Sequence, residues 1–187
     1  QTDFEGAAVN LQIVAVDPNG DSLTYAAAGL PGGLAIDVNT GLISGNVAAG
    51  ASASSPYDPV TVTVTDAKDF ATPVEFAWTI NPNDIPEVTP IPNQSNEEAE
   101  TITPLQVSAS DGDSDVLTYG AINLPPGLSI NSGSGLITGT VDAGAAVGSP
   151  YSVIVTVSDG KAVPVEAPFT WTFGGENNPP VVVQPAN

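Results

Sequence analysis

The chain has 187 residues, with 21 Asp and Glu against 2 Lys and Arg, and a formal net charge of −19. It has no Cys, His or Met. Two lysines, Lys68 and Lys161, cannot neutralise a row of phosphates, so nucleic-acid binding is excluded, and an anionic membrane would repel the chain. Without Cys there is no disulfide framework or thiolate, and without His the commonest general base and transition-metal ligand are gone. What remains is a surplus of hard oxygen ligands, which suit calcium and, less well, magnesium. No stretch approaches the ~18 apolar residues of a membrane span, so membrane insertion is not expected. The chain opens on Gln1 rather than Met, and the expectation is a segment of a longer protein that was targeted by other sequence.

Self-comparison finds two copies of one unit. The run from Leu11 to Val47 aligns without a gap on Leu105 to Val141, 94 positions further on. After a one-residue slip, Ser55 to Asp69 matches Ser149 to Ala162, and Phe76 to Ile80 matches Phe169 to Phe173. The expected division is 1–82 for the first repeat and 83–176 for the second, with 177–187 a linker or the start of a third.

In chain order, strands of the first repeat are expected near 7–9, 11–16, 23–28, 34–36, 42–47, 59–65 and 75–80. The β-branched runs Thr61 to Thr65 and Val153 to Val157 carry strong strand propensity. The alternation in Phe76, Trp78 and Ile80 puts those side chains on one face. The 19 Gly and 18 Pro fall mostly between such runs as turn punctuation, and no helical stripe of ten or more residues occurs. The fold class is therefore all-β, two tandem seven-stranded Greek-key β-sandwiches.

Asp17, Asn19 and Asp21 alternate in the first repeat, and Asp111, Asp113 and Asp115 in the second. On extended backbone, positions i and i+2 share a face, so their oxygens converge. Carboxylates so close repel one another unless a cation lies between them. Asp66 and Asp159 follow at matching places. An EF-hand is rejected, because its twelfth position would be Ala28 or Ile122 rather than Glu. The alternative is a turn built from residues that favour turns. Trp78 and Trp171 share one register and are expected in the core rather than on a sugar-binding surface. Tyr57 and Tyr151, after Ser-Pro, suit a tyrosine corner.

The order of motifs, from AVDPNGDSLTY and SASDGDSDVLTY through LAIDVNTGLISG and LSINSGSGLITG to the linkers NPNDIP and ENNPP, resembles cadherin repeats. It is most similar to bacterial dystroglycan-type cadherin-like or putative-Ig modules, which occur in secreted enzymes and surface adhesins. The resemblance implies a secreted or surface protein of a bacterium, with calcium at the junctions between units. Catalysis is not expected, because paired carboxylates need a cleft and duplicated ~90-residue sandwiches offer none evident in the sequence. The resemblance implies as ligands Glu5, the linker residues Asn81, Asn83 and Asp84, and Asp111, Asp113 and Asp159. Asp17, Asn19, Asp21, Asp66 and Glu98 would serve the neighbouring junctions. The family's Asp-Arg-Glu motif is replaced by Ala48-Ala49 and Asp142-Ala143, its first linker acid by Asn81 and its last linker Asn by Ile85, which points to one or two ions rather than three. The expected partners are further repeats of the same parent protein. A polysaccharide or another copy of the chain, met at loops 48–54 and 142–148, is the alternative, and a metal-free linker is the third reading.

Overall fold

The computed structural model describes residues 1–174, and the expected start of a third repeat at 177–187 lies outside them. The chain divides into two compact units, Gln1–Asn83 and a second beginning at Asp84. Each is a β-sandwich.

In unit 1 the strands are β1 (Thr2–Phe4), β2 (Ala8–Gln12), β3 (Leu23–Ala28), β4 (Leu34–Ile36), β5 (Leu42–Asn46), β6 (Tyr57–Asp66) and β7 (Ala71–Asn81). One sheet runs β1-β7-β6-β3 and the other β2-β5-β4. Side chains that alternate along β6 and β7 meet those of β2 and β5 in a core holding Val9, Ile43, Val60, Val62, Trp78 and Ile80. The strands of the C-terminal half lie where the alternation places them. The N-terminal ones do not: 7–9 and 11–16 were expected as two strands, whereas a single strand β2 stops at Gln12, and β1 pairs in parallel with β7. Residues 14–16 have no strand partner among the described residues, so their β-branched sequence does not make them a strand.

Unit 2 contains β8 (Glu87–Val88), β9 (Gln94–Glu97), β10 (Leu105–Gln106), β11 (Ala109–Ser110), β12 (Thr118–Ile122), β13 (Leu128–Ile130), β14 (Leu136–Gly139), β15 (Tyr151–Ser158) and β16 (Val165–Gly174). Its sheets are β12-β15-β16-β9 and β10-β14-β13, with a separate pair β11-β8. The core is again a stack on a fully enclosed tryptophan, Trp171, with Phe169 and Phe173 on the same face of β16.

Repetition of the sequence repeats the local chemistry. Trp78 Nε1 donates to Asp3 Oδ2 at 2.7 Å and Trp171 Nε1 to Asn96 Oδ1 at 3.0 Å, so each buried indole has its polar atom satisfied. The tryptophans, 0% and 1% exposed, are core residues and offer no surface to a sugar ring. Tyr57 Oη donates to the Ala51 carbonyl at 3.0 Å, and Tyr151 Oη to Ala145 at 2.9 Å, tying each late strand back to a short 3-10 turn (Ala51–Ser54 and Ala145–Gly148). The repeated glycines of LISG and LITG are required where they stand. Gly45 and Gly139 have φ of 135° and 141°, and a side chain on either would strike the carbonyl of Gly33 or Gly127.

Candidate metal centre

In unit 2 the strand β11 runs directly into the loop 111–115, and each acidic side chain there has a defined task. Asp111 Oδ1 accepts from the backbone N–H of Asp113 (3.2 Å) and of Asp115 (3.0 Å), which folds the loop around that one oxygen. Its other oxygen, Oδ2, is therefore turned away from the turn it organises. At the end of β15, Asp159 is 8% exposed and uses Oδ1 in the same way, accepting from Lys161 (2.9 Å) and Ala162 (3.0 Å). Asp111, Asp113 and Asp115 each present a carboxylate oxygen within 4.8 Å of the others.

Asp84 completes one side of this group. Its carboxylate lies against the backbone of Gly112, in the space a Cβ would take. Asp84, Ile85, Glu87, Ser110, Asp111 and Gly112 border a surface cavity of about 310 Å³. Only a residue without a side chain at 112 lets the carboxylate approach the loop so closely.

The oxygens of this cluster are short of donors. With all three carboxylates ionised, Asp111 Oδ2, both oxygens of Asp113 and Asp115 Oδ2 are shielded from solvent and accept no hydrogen bond. Buried carboxylate oxygens without partners are costly and rare in folded proteins. The electrostatics carry the same mark. Burial, the hydrogen bond with Asp111 and the charges of Asp111 and Asp115 raise the Asp113 carboxyl to about 6, against the opposing pull of Lys161. Burial also raises Asp111, but hydrogen bonds from the Asp113 side chain and from the Asp115 and Asp113 backbone outweigh it, so its carboxyl is lowered. The positive charge at hand is Lys161, whose Nζ sits 2.6 Å from Asp115 Oδ1. One cation cannot balance four or five carboxylates.

A divalent cation with oxygen ligands fits this donor set. Calcium accepts six to eight oxygens in flexible geometry, whereas magnesium demands a tight octahedron.

Unit 1 holds a reduced version. Asp17, Asp21 and Asp66 come within the same 4.8 Å. Asp17 Oδ1 accepts from Asn19 (2.7 Å) and Asp21 (3.0 Å), and Asp66 Oδ1 from Lys68 (2.8 Å) and Phe70 (2.9 Å). Lys68 pairs with Asp21 at 2.5 Å, as Lys161 does with Asp115. The Asp17 carboxyl is lowered, first by the Asp21 N–H. Asn19 replaces Asp113 and is exposed. Unit 1 therefore carries one acid fewer.

The remaining sequence candidates stand elsewhere. Glu5 Oε1 accepts from the Ser52 N–H at 2.8 Å, and Glu98 Oε1 from the Ala146 N–H at 2.5 Å, so each holds the 3-10 turn of its own unit. Hydrogen bonds from the Ser52 side chain, then from the Gly50 and Ser52 backbone, lower the Glu5 carboxyl. Asn81 ends β7, where its carbonyl accepts the Glu5 N–H at 3.0 Å. Asn83 is the last residue of unit 1 and Asp84 the first of unit 2. Lys161 was absent from the sequence candidates. Asp115 was read as converging with Asp111 and Asp113, but the resemblance did not name it among the ligands, although its counterpart Asp21 was among them.

The family model described as "Putative Ig domain" matches residues 1–81 and again 85–174. Among curated proteins, the "Serine-rich adhesin for platelets" of Staphylococcus aureus strain N315 is 30% identical over 141 residues, 75% of this chain and 6% of the adhesin. The chain thus spans a small fraction of the length of the relatives it matches, 10% in strain MRSA252. Among solved structures, human CDH23 EC21-23 is similar at 18% identity and TM-score 0.43, covering 93% of this chain and 67% of that one. An endo-fucoidan hydrolase of glycoside hydrolase family 107 is similar at 18% identity and TM-score 0.40, covering 94% and 28%. Among the described residues no helix is long and apolar enough to cross a membrane.

Proposed function

This chain belongs to the "Putative Ig domain" family, represented twice along its length, and from that premise we propose that it is a calcium-stiffened spacer and presenting segment of an extracellular, adhesin-like protein of a bacterium. The observation that carries the reading is the group of buried, donorless oxygens on Asp111, Asp113 and Asp115. Asp84 and Asp159 stand beside them. Calcium at this group would offset the repulsion that raises Asp113, and it would take oxygens already arranged around a loop that a single Asp111 oxygen holds in shape. The adhesin relatives support a place for this chain in an adhesive protein of a bacterium. No catalytic step belongs to this reading, and the partners are neighbouring repeats of the same protein.

Calcium acts here on the chain as well as on the charge. Asp84 is the first residue of unit 2, and an ion would hold its carboxylate on the 111–115 loop, where it already lies against Gly112. Extracellular modules bind calcium with dissociation constants of about 10⁻⁴ to 10⁻³ M. At a concentration ~100-fold above that constant, one site adds roughly 2.7 kcal/mol to the stability of the folded state. Titration calorimetry with calcium and magnesium, alongside small-angle scattering in calcium and in chelator, tests the proposal. Saturable heat with calcium, weaker heat with magnesium and a larger radius of gyration in calcium are expected. No heat at millimolar calcium would leave a metal-free linker.

A further inference from the structure

The two acidic loops share one backbone path but differ in charge. Asp17-Pro18-Asn19-Gly20-Asp21 in unit 1 aligns on Asp111-Gly112-Asp113-Ser114-Asp115 in unit 2. In each, the first aspartate uses Oδ1 to accept the backbone N–H groups two and four residues further on. The fourth residue is left-handed in both, Gly20 at φ 80° and Ser114 at φ 67°. Its N–H donates to the carbonyl of the first aspartate, at 3.2 Å in unit 1 and 3.4 Å in unit 2. The third position sets the charge, being Asp113 in unit 2 and Asn19 in unit 1.

Asn19 is the one asparagine of the sequence that precedes a glycine. Its side chain is exposed, and its amide makes no hydrogen bond among the described residues. Asn131 is held quite differently: its Oδ1 accepts from the Gly133 N–H at 3.0 Å and the Ser134 N–H at 2.9 Å, and its successor is Ser132. A Cβ placed on Gly20 would meet nothing within 4 Å, so the space beside this backbone is open. Without a Cβ, the Gly20 nitrogen is also as unhindered as a backbone nitrogen can be. Attack by that nitrogen on Asn19 Cγ closes a five-membered ring, a reaction favoured by proximity alone. The bond that must open first, from the Gly20 N–H to the Asp17 carbonyl, lies at the long end of the hydrogen-bond range on an exposed turn, where local opening costs little.

We propose that Asn19 is a self-modifying position, at which the Gly20 backbone nitrogen converts the side-chain amide into a carboxylate and so supplies unit 1 with the acid that unit 2 encodes as Asp113. Hydroxide removes the Gly20 amide proton, and the nitrogen bonds to Asn19 Cγ. The Cγ–Nδ2 bond breaks, and the side-chain nitrogen leaves as ammonia with a proton from water. Water then opens the cyclic imide. Opening at Cγ gives aspartate. Opening at the main-chain carbonyl gives isoaspartate, with the backbone rerouted through Cγ. One water enters and one ammonia leaves, with no oxidant or reductant. Either product adds a negative charge to the loop between Asp17 and Asp21, and the aspartate product removes the one-acid difference between the two units. The chemistry rests on the turn and does not depend on calcium.

The test is peptide mass spectrometry of the full chain held at 37 °C and pH 8 in chelator, beside Asn19→Gln. Cleavage at Lys68 and Lys161 places Asn19 and Asn131 in different peptides. Fragment ions locate the change and tell isoaspartate from aspartate. The expected result is a gain of about 1 Da that grows with time at residue 19, as both products, with Asn131 slower by about tenfold or more. The Asn19→Gln chain should lose the gain, because its ring would need six members. No gain at residue 19 overturns the proposal. So does aspartate without isoaspartate, since water would then have cleaved the amide with no ring formed. An equal rate at Asn131 also overturns it, because the turn at Gly20 would then confer nothing.

Discussion

The Asp84 carboxylate lies against the backbone of Gly112, occupying the place where any other residue would carry its Cβ. The contact brings the first acid of unit 2 onto the loop that holds Asp111, Asp113 and Asp115. Gly112→Ala should therefore push a flexible side-chain end away without disturbing a strand. The fold survives, with a melting temperature in chelator within about 2 °C of the parent, while calcium affinity falls about tenfold through loss of a charged ligand. Calorimetry paired with thermal melts separates the two effects.

Asp113 sets the pH dependence. Its carboxyl is raised from 3.8 to about 6 in the folded chain, so folding favours the protonated form when metal is absent. That contribution is complete below the unfolded value and is lost as pH rises through about 6. In chelator, Asp113→Asn should abolish the fall and stabilise unit 2 at pH 7.4 by on the order of 1 kcal/mol, after discounting for solvent and loop relaxation. The same substitution should remove the calcium-induced rise in melting temperature.

Calcium at this group would need the Asp113 carboxylate ionised, so protons would compete with it below about 6. Moving from pH 7.4 to pH 5 should weaken calcium binding by about tenfold. The Asp113→Asn protein should show no such dependence in whatever weak binding it retains. Titrations at several pH values in one buffer ionic strength provide the check.

Lys161 holds Asp115 at 2.6 Å with both side chains mostly buried, and would compete with a bound ion for it. Lys161→Met should lower stability in chelator by about 1 kcal/mol, because Asp115 is left without its cation. It should raise calcium affinity, since the ion then meets one more uncommitted oxygen. A substitution that lowered both would show that Lys161 serves the loop rather than opposing the ion.

Tyr57→Phe and Tyr151→Phe should each cost about 1 kcal/mol, the net worth of one hydrogen bond to Ala51 or Ala145. Calcium affinity should not change, because both hydroxyls serve the 3-10 turns. Denaturant melts of the two variants measure this directly.

The sandwich was legible because its inner strands announce themselves. Val153, Val155 and Val157 fall at alternate positions and are all buried, and Trp78 and Trp171 share one register in the core. The strand β1 was not legible, because Thr2, Asp3 and Phe4 are too short a run to show a pattern. Its pairing with β7 is made by backbone groups, to which sequence is blind. The stretch 13–16 misled in the opposite sense, since Ile13-Val14-Ala15-Val16 has strong strand propensity but no neighbour to pair with among the described residues. At the acidic cluster, the spacing of Asp111 and Asp113 announced converging oxygens. Lys161 did not announce itself, because its reach to Asp115 depends on where the β15–β16 hairpin places its tip.

The most direct measurement is electron density for unit 2 crystallised in calcium at neutral pH, with anomalous scattering to identify the ion. The account expects a peak among Asp84, Asp111, Asp113 and Asp159, with six to eight oxygens at about 2.3–2.6 Å. Density showing only water among these side chains at saturating calcium would contradict it.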